Sequence, residues 1–218
     1  MSQTYKLEKM DAFFDKRADT YEHHMLVDLQ LDEFYEAIDN CFAEAQVANL
    51  LDLGCGTGLE LERFFRRFPQ ATVTGIDLSA GMLAQLQAKH PDKTMKLICD
   101  SYFDVNLGEN SFECALSTYS FHHFSVEEKQ GLYKKIRKAL VSGGFFVLGD
   151  YTVATAERQQ ELWEEGQRLR QEQGADSGFY HFDTPFTVAA EIALLRAAGF
   201  ATAELVRTWE STSIIVAQ

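Results

Sequence analysis

Short apolar runs alternate along the middle of the chain with stretches whose apolar residues recur every three or four positions. Uninterrupted apolar runs indicate buried strands, and the wider spacing indicates helices with one buried face. The pattern predicts strands over 47–53, 71–76, 95–99, 112–120 and 145–148. It predicts helices over 59–68, from 79 to Pro91, and from 125 to Gly143. Strands that alternate with helices form a mainly parallel sheet covered on both faces, which is an α/β fold.

Two segments fall outside this alternation. Residues 1–46 are predicted to be helical, with one face formed by Met10, Phe13, Phe14, Arg17 and Tyr21. Residues 153–186 are rich in Glu, Gln and Arg and end in a loop over 177–183. We expect both segments to act as lids over the carboxyl ends of the strands, within a single domain that spans 1–218. A helix over 187–198 and two β-like runs, 203–208 and 212–216, follow the second lid.

The charge balance narrows the classes of partner. The 218 residues include 20 Lys and Arg against 33 Asp and Glu, a formal net charge of −13. Nucleic-acid binders show a basic surplus, because much of their affinity comes from contacts with phosphates. We therefore expect no nucleic-acid partner and no anionic membrane surface, and a small-molecule partner is favoured.

The sequence also predicts a location. No apolar run approaches the roughly 20 residues that cross a bilayer. The N-terminus shows no apolar stretch before a small-residue cleavage site. The four cysteines form no C-x-x-C pair and match no zinc module. We expect a cytoplasmic protein with free thiols. The oligomeric state is left open, with a homodimer as one alternative.

Polar and glycine residues follow the predicted strands directly, at the sheet edge where open parallel sheets bind ligands. The first strand ends in the glycine-rich turn 54–58, the second in Asp77 and the third in Asp100. A dinucleotide fingerprint, G-x-G-x-x-G, would require glycine where Leu59 stands, and no G-x-x-x-x-G-K-[ST] phosphate loop occurs. A carboxylate at Asp77 suits a ribose diol, and one at Asp100 suits an adenine amino group. S-adenosylmethionine combines ribose and adenine without phosphate.

Five motifs in order resemble those of the class I S-adenosylmethionine-dependent methyltransferases. They are LLDLGCGTG at 50–58, GIDLS at 75–79 with Met82, CD at 99–100, FECA at 112–115 and LVSGGF at 140–145. The resemblance covers about residues 47–151, and residues 187–217 by topology. It implies a Rossmann-like, doubly wound sheet of seven strands in the order 3-2-1-4-5-7-6, with an antiparallel last strand.

The resemblance also implies S-adenosylmethionine as cofactor and S-adenosylhomocysteine as product. The positions that match the family's cofactor residues are Tyr21, Asp52, Gly54, Cys55, Gly56, Gly58, Asp77, Leu78, Met82, Asp100, Ser101 and Tyr119. In the family, the glycines pack against the methionine portion and the first acidic residue, here Asp52, orients the loop and the methionine ammonium. Leu78 and Met82 would touch the adenine, and Tyr21 would close over the cofactor.

The residues that act on the methyl acceptor are less defined. The candidates are His122, His123, His181 and Tyr119, with Asp183 beside the third histidine. Imidazole has an ordinary pKa near neutrality, which suits a base if the acceptor must lose a proton. Adjacent histidines also occur as metal ligands, but neighbouring side chains tend to point apart and no third ligand is evident. We therefore predict no metal site here.

These observations predict a methyltransferase that acts on a small molecule by in-line displacement at an activated methyl group. A methyltransferase acting on protein or RNA is the nearest alternative. The motif for amino-group methylation, Asn-Pro-Pro-Tyr, is replaced by STYS at 117–120. A binding module without catalysis is the alternative from another class, and a nicotinamide oxidoreductase is disfavoured by Leu59.

Overall fold

The computed structural model describes residues 5–218, so the first four residues of the predicted N-terminal lid lie outside the described part. The strands are β1 (Asn49–Leu53), β2 (Thr72–Asp77), β3 (Met95–Cys99), β4 (Phe112–Thr118), β5 (Leu140–Val153), β6 (Phe186–Thr187), β7 (Ala203–Thr208) and β8 (Thr212–Ala217). The helices are α1 (Met10–Asp15), α2 (Ala18–His23), α3 (Asp32–Asn40), α4 (Leu59–Arg67), α5 (Ala80–Lys89), α6 (Val126–Ala139), α7 (Ala156–Glu172) and α8 (Val188–Ala197). A π-helical turn (His24–Asp28) and a 3₁₀ turn (Phe121–His123) complete the description.

The seven long strands form one sheet in the order β3-β2-β1-β4-β5-β8-β7. The strands from β1 to β5 pair in parallel, and β8 pairs antiparallel with both β5 and β7. The two-residue β6 pairs with the end of β5. If the short β6 is left out of the numbering, this order is the predicted one, 3-2-1-4-5-7-6, which is therefore confirmed. The Rossmann-like α/β class is confirmed as well.

The sheet is buried on both faces, as its central strands require. Neighbouring residues of β1, Leu50 and Leu51, are fully buried in two different apolar clusters. Helix α3 adds Phe34 and Ile38 to the first cluster. The C-terminal part of the predicted N-terminal lid is therefore packed on the sheet, and only residues 5–31 lie over its edge. We call residues 5–31 the cap.

One predicted boundary is wrong. The glycine pair at 143–144 was expected to end the helix before the fifth strand, but α6 ends at Ala139 and β5 begins at Leu140. The extra residues form a bulge: the step from Phe112 to Cys114 on β4 is matched by the step from Leu140 to Phe145 on β5. Gly143 takes a positive φ of 78° inside this bulge. Glycine marks bulges as well as helix ends, and the sequence alone does not separate the two.

Among the described residues, no helix is both long enough and apolar enough to span a bilayer.

A buried ion pair joins α6 to α8 behind the sheet. Lys129 Nζ contacts the carboxylate of Glu191, and the Tyr133 hydroxyl donates to the same carboxylate at 2.6 Å. The ammonium also lies 4.0 Å from the centre of the Phe186 ring. The Lys129 and Glu191 side chains are almost completely buried, so each charge depends on the other for compensation.

Lys129→Met is expected to lower the free energy of unfolding by about 3–5 kcal/mol, because Glu191 is left buried without a cation. Urea denaturation measures the change. The double variant Lys129→Met/Glu191→Leu should recover much of the loss, since both charges are then removed. A double variant as unstable as the single one contradicts this account. Arg158→Gln, at an exposed helical pair, is the control and should stay within about 0.5 kcal/mol of wild type.

Candidate functional site

The glycine-rich turn after β1 brings bare backbone to the carboxyl edge of the sheet. Gly54, Gly56 and Gly58 all take positive φ, a conformation that other residues rarely adopt. A Cβ on Gly54 would lie 2.1 Å from the Ser120 hydroxyl oxygen, and one on Gly58 would lie 2.5 Å from Leu86. The missing side chain of Gly54 therefore lets the loop at Ser120 lie close to the turn. The missing side chain of Gly58 lets Leu86 of α5 pack close to the start of α4.

The carboxylate of Asp77 closes this turn from the end of β2. Its Oδ2 accepts the Gly56 amide at 2.9 Å and its Oδ1 accepts the Ser79 amide at 2.8 Å. Burial raises the pKa of Asp77. Each oxygen keeps a lone pair after these bonds, so the carboxylate can still accept the two hydroxyls of a ribose diol.

The turn and Asp77 line a first cavity, the cofactor cavity. Its walls are Met10, Phe14, Tyr21, Gly54, Gly56, Asp77, Leu78, Met82, Tyr102, Thr118, Tyr119, Ser120 and His123. Seven of the twelve predicted cofactor positions lie in this wall: Tyr21, Gly54, Gly56, Asp77, Leu78, Met82 and Tyr119. The cavity measures about 50 Å³. Ligand pockets measure about 300–1,000 Å³, so side chains of the cap must move outward before a ligand of nucleoside size fits.

The other five predicted positions lie outside this wall. Cys55 packs in the core, where its sulfur fills the space a Cβ on Gly75 would take. Asp100 is exposed and its Oδ1 accepts the Ser101 amide at 2.7 Å. Ser101 in turn accepts the Phe103 amide. Gly58 is the last residue of the turn and contacts Leu86, and Asp52 is buried in β1.

Asp52 forms a buried acidic pair with Glu60 of α4. The Thr118 hydroxyl donates to Glu60 at 3.2 Å, but both oxygens of Asp52 and the other oxygen of Glu60 have no hydrogen-bond partner. Burial and the neighbouring Glu60 raise the pKa of Asp52, and burial raises the pKa of Glu60. The pair therefore binds a proton more tightly than two solvated carboxyls do. Its orphaned oxygens fit a cationic group such as the methionine ammonium of S-adenosylmethionine.

Several residues of the cofactor cavity were not among the predicted cofactor positions. Met10 and Phe14 come from the cap, and their common face with Tyr21 was the only sequence signal. Tyr102 donates or accepts at 3.0 Å with the Ser120 hydroxyl. Its position two residues after Asp100 carries no motif. The glycine turn, Asp77 and the acidic pair together fit an adenosyl cofactor with a cationic side chain.

A second, larger cavity of about 500 Å³ adjoins the first and shares Phe14, Tyr21, Tyr119 and His123 with it. We call it the acceptor cavity. Its walls also include Phe13, Arg17, Thr20, His23, His24, Met25, Asp28, Leu29, His122, Tyr151, His181 and Asp183. Five of the six histidines in the chain therefore line one cavity. The four catalytic candidates, His122, His123, His181 and Tyr119, all lie in the wall of this cavity.

Asp150, near the end of β5, orients the first of these histidines. Its Oδ1 lies 2.6 Å from Nδ1 of His122, and its Oδ2 accepts the Phe121 amide at 2.9 Å. On the other side, Nε2 of His122 lies 3.5 Å from Asp183. Burial opposes the charge on His122, but the two carboxylates outweigh it and raise its pKa to about 9. Sequence reasoning missed Asp150, which lies inside β5, three residues before its end.

His123 and His181 complete the cluster. The His122 and His123 rings are 3.9 Å apart, so these neighbours do not point apart as expected. Burial and the charge on His122 hold the pKa of His123 well below its usual range, and burial lowers that of His181. His181 stacks on Phe13 at 3.6 Å. Both rings are therefore neutral near pH 7, beside a charged His122.

Tyr119 separates the two cavities. It takes a positive φ of 48°, which is unusual for a residue of this size, and its hydroxyl donates to Thr212 at 3.3 Å. Burial raises its pKa, so it remains a neutral phenol. Strained backbone of this kind concentrates at functional sites, and here it turns the ring toward both cavities.

Comparisons with known proteins agree with this geometry. A profile described as methyltransferase domain matches residues 50–144. An uncharacterized methyltransferase of Bacillus cytotoxicus is 31% identical over 65% of this chain and 67% of its own length. Malonyl-[acyl-carrier protein] O-methyltransferase of Priestia megaterium is 28% identical over 58% of this chain and 46% of its own. The chain spans about half the length of the first curated relatives it matches.

Solved structures show the same fold. The complex of DhpI with SAM and HEP superposes with a TM-score of 0.68 at 18% identity, covering 95% of this chain and 94% of that one. Human N-acetylserotonin methyltransferase in complex with SAM gives a TM-score of 0.66 at 14% identity, covering 95% of this chain and 56% of that one.

Asp77→Asn is expected to weaken the binding of S-adenosylhomocysteine about 10- to 100-fold, because an amide cannot accept both ribose hydroxyls as a carboxylate does. Calorimetric titration measures the affinity. Asp92→Asn, on an exposed loop, is the matched control. Equal affinities for wild type and Asp77→Asn would remove Asp77 from the site.

The Asp52–Glu60 pair predicts a pH dependence of stability. The folded pair holds a proton that the unfolded carboxyls lose above about pH 4. The folded state then binds more protons, so the contribution of the pair to the free energy of unfolding falls as pH rises toward neutrality. Asp52→Asn removes this penalty, and its stability relative to wild type should be greater at about pH 8 than at about pH 5 in urea denaturation.

Glu60→Gln should show the same trend, because removing either member leaves one carboxyl without its acidic neighbour. A difference between wild type and both variants that does not change with pH would exclude a shared proton.

Proposed function

Because this chain belongs to the class I S-adenosylmethionine-dependent methyltransferases, we propose that it transfers a methyl group to an oxygen atom of a small polar acceptor. The observation that carries the proposal is the acceptor cavity of about 500 Å³, which adjoins the cofactor cavity at Tyr119 and His123. Its size falls within the range of about 300–1,000 Å³ for small-molecule sites.

The closure of this cavity favours a small acceptor over a macromolecule. The cap and the loop after α7 are joined by backbone contacts: Met10 donates to Phe179 at 3.0 Å, and His181 donates to Glu8 at 3.0 Å. We propose that the cap and residues 153–186 act as the lids expected from the sequence. The net charge of −13 also disfavours RNA, because it opposes binding to phosphates.

The names of two relatives support an acidic acceptor. One is malonyl-[acyl-carrier protein] O-methyltransferase, whose name gives an oxygen acceptor on a group carried by a protein. The other is trans-aconitate 2-methyltransferase of Deinococcus radiodurans, which is 52% identical over 46 residues, or 21% of this chain and 18% of its own. The charged His122 and the guanidinium of Arg17, both on the cavity wall, offer donors to an anionic or carbonyl oxygen.

The residues of this chain supply position, exclusion of water and a proton acceptor. S-adenosylmethionine supplies a methyl group already activated on a sulfonium. Asp77 and the glycine turn would hold its nucleoside and methionine portions, and Tyr21 and Phe14 close the site from water. The acceptor oxygen would be held by His122, which Asp150 orients. Neutral His181 is available to take a proton from a hydroxyl acceptor.

Two further parts of the proposal concern the surroundings of the protein. We propose a cytoplasmic location, supported by four cysteines that are all free. A homodimer stays a prediction that sedimentation can test.

The alternative function, a binding module without catalysis, can be distinguished by one measurement. Such a module would bind S-adenosylmethionine without forming S-adenosylhomocysteine.

His122→Gln is expected to lower kcat by about 10²- to 10⁴-fold while the affinity for S-adenosylhomocysteine is unchanged, because the ring faces the acceptor cavity. The assay measures S-adenosylhomocysteine formed from S-adenosylmethionine and a panel of small carboxylic and hydroxy acids. His90→Gln is the control, since His90 lies at the end of α5 and lines neither cavity. Full activity in His122→Gln removes His122 from the reaction. No product with any acceptor, despite cofactor binding, favours the binding module.

A further inference from the structure

The cluster around Asp183 has the composition of a metal site. Nε2 of His122 lies 3.5 Å from Asp183 Oδ1, Nδ1 of His123 lies 3.4 Å from it and Nε2 of His181 lies 3.8 Å from it. These distances exceed the usual 2.7–3.2 Å of a hydrogen bond. Asp183 Oδ1 is accordingly buried without a hydrogen-bond partner. Three imidazoles thus surround one carboxylate oxygen without forming a hydrogen bond of ordinary length to it.

The spacing of these atoms matches metal coordination. Ligand atoms about 2.0–2.1 Å from a tetrahedral Zn²⁺ are separated from one another by roughly 3.4 Å. The observed separations from Asp183 Oδ1 are 3.4, 3.5 and 3.8 Å. One donor atom from each of His122, His123 and Asp183 lies within 4.8 Å of the other two.

The hydrogen bonds outside the cluster leave lone pairs directed into it. Asp150 accepts the Nδ1 proton of His122, so Nε2 is the free ligand atom. A metal-bound histidine commonly has a carboxylate on its other nitrogen in this way. Tyr5 Oη lies 2.8 Å from Nδ1 of His181 and 3.1 Å from the carbonyl oxygen of the same residue. A phenol has one proton, which the carbonyl accepts. Nδ1 of His181 therefore donates to Tyr5, and its Nε2 is also free.

His123 is the remaining histidine of the cluster. Its Nδ1 lies 3.2 Å from the Phe182 carbonyl oxygen, and its buried Nε2 has no partner. The side chain is only 1% exposed, and Nδ1 is committed to the Phe182 carbonyl, so Nε2 is the nitrogen available to a ligand. An unpartnered imidazole nitrogen beside an unpartnered carboxylate oxygen is the kind of buried polar pair that a bound ion would satisfy.

We propose that His122, His123 and Asp183, with His181 as the fourth donor, bind one divalent first-row transition-metal ion in the wall of the acceptor cavity. Imidazole suits Zn²⁺, Fe²⁺, Co²⁺ and Ni²⁺, whereas Mg²⁺ and Ca²⁺ prefer all-oxygen sites. The metal replaces the proton between His122 and Asp183. In the metal-bound protein the ion, in place of His122 and His181, would hold the acceptor oxygen and lower the pKa of an acceptor hydroxyl. This catalytic use rests on the proposed function, but the metal site itself does not.

The test uses the full chain after treatment with a chelator. Co²⁺ is added and followed by visible absorption, and Zn²⁺ by calorimetry. The expected result is one equivalent per chain. Asp183→Asn and His181→Gln should each weaken Zn²⁺ binding about 10-fold or more. His90→Gln, which removes a histidine outside the cluster, should bind as wild type does.

The affinity for S-adenosylhomocysteine, measured on the same samples, separates the two proposals. Wild type that binds S-adenosylhomocysteine but no metal overturns the metal site and leaves methyl transfer intact. Equal Zn²⁺ affinity in wild type, Asp183→Asn and His181→Gln also overturns it. Metal binding without S-adenosylhomocysteine binding overturns the proposed function alone. If Asp183→Asn loses its fold by circular dichroism, His181→Gln decides, because that side chain is 19% exposed and its loss leaves little buried space.

Discussion

The arrangement of the acceptor side depends on one buried carboxylate, that of Asp150. It binds the Phe121 amide at 2.9 Å and His122 Nδ1 at 2.6 Å, and thereby fixes the 3₁₀ turn after β4 to the end of β5. The carbonyl of His122 then accepts the amide of Thr184 at 2.7 Å, which places the neighbouring Asp183. A buried carboxylate with three bonds, the third from the Tyr151 amide, is costly to move. The positions of the turn and of the loop before β6 therefore follow from a single group near a strand end.

The same chain of contacts continues into the cap. His181 stacks on Phe13 at 3.6 Å, and Tyr5 bonds the ring from its other side. The cofactor cavity of about 50 Å³ is too small for a nucleoside ligand, and Met10, Phe14 and Tyr21 of its wall belong to the cap. An outward movement of the cap on cofactor entry would disturb the stack on His181, which belongs to the acceptor side. That aromatic contact would then couple cofactor exchange to the geometry of the acceptor site.

The cofactor half of the site could be predicted from the sequence, and the acceptor half only in outline. Gly54 and Asp77 were found because a strand, a turn and a helix follow one another locally, and their spacing identifies them. Asp150 was missed because the predicted fifth strand stops at residue 148, whereas β5 continues to Val153 and contains Asp150. Asp183 meets His122 across about sixty positions of chain, and no local pattern encodes such a contact. The fold was predictable where its hydrophobic pattern is periodic, as in β1 to β4. The prediction failed at residues 143–144, because glycine is found both at helix ends and in β-bulges.

The pKa values of the buried carboxyl groups are shifted in opposite directions on the cofactor side and on the acceptor side of the site. Asp52 faces another carboxyl group without a cation, so burial and repulsion raise its pKa. Burial would raise the pKa of Asp183 as well, but the imidazoles around it hold it below its usual range. The cofactor side therefore offers an acidic environment that favours a cationic ligand, while the acceptor side keeps its negative charge balanced by positive partners. A sulfonium cofactor loses its positive charge when the methyl group leaves. The acidic pair and Asp77 would therefore attract the sulfonium form of the cofactor more strongly than the thioether product, which would favour release of the product after transfer.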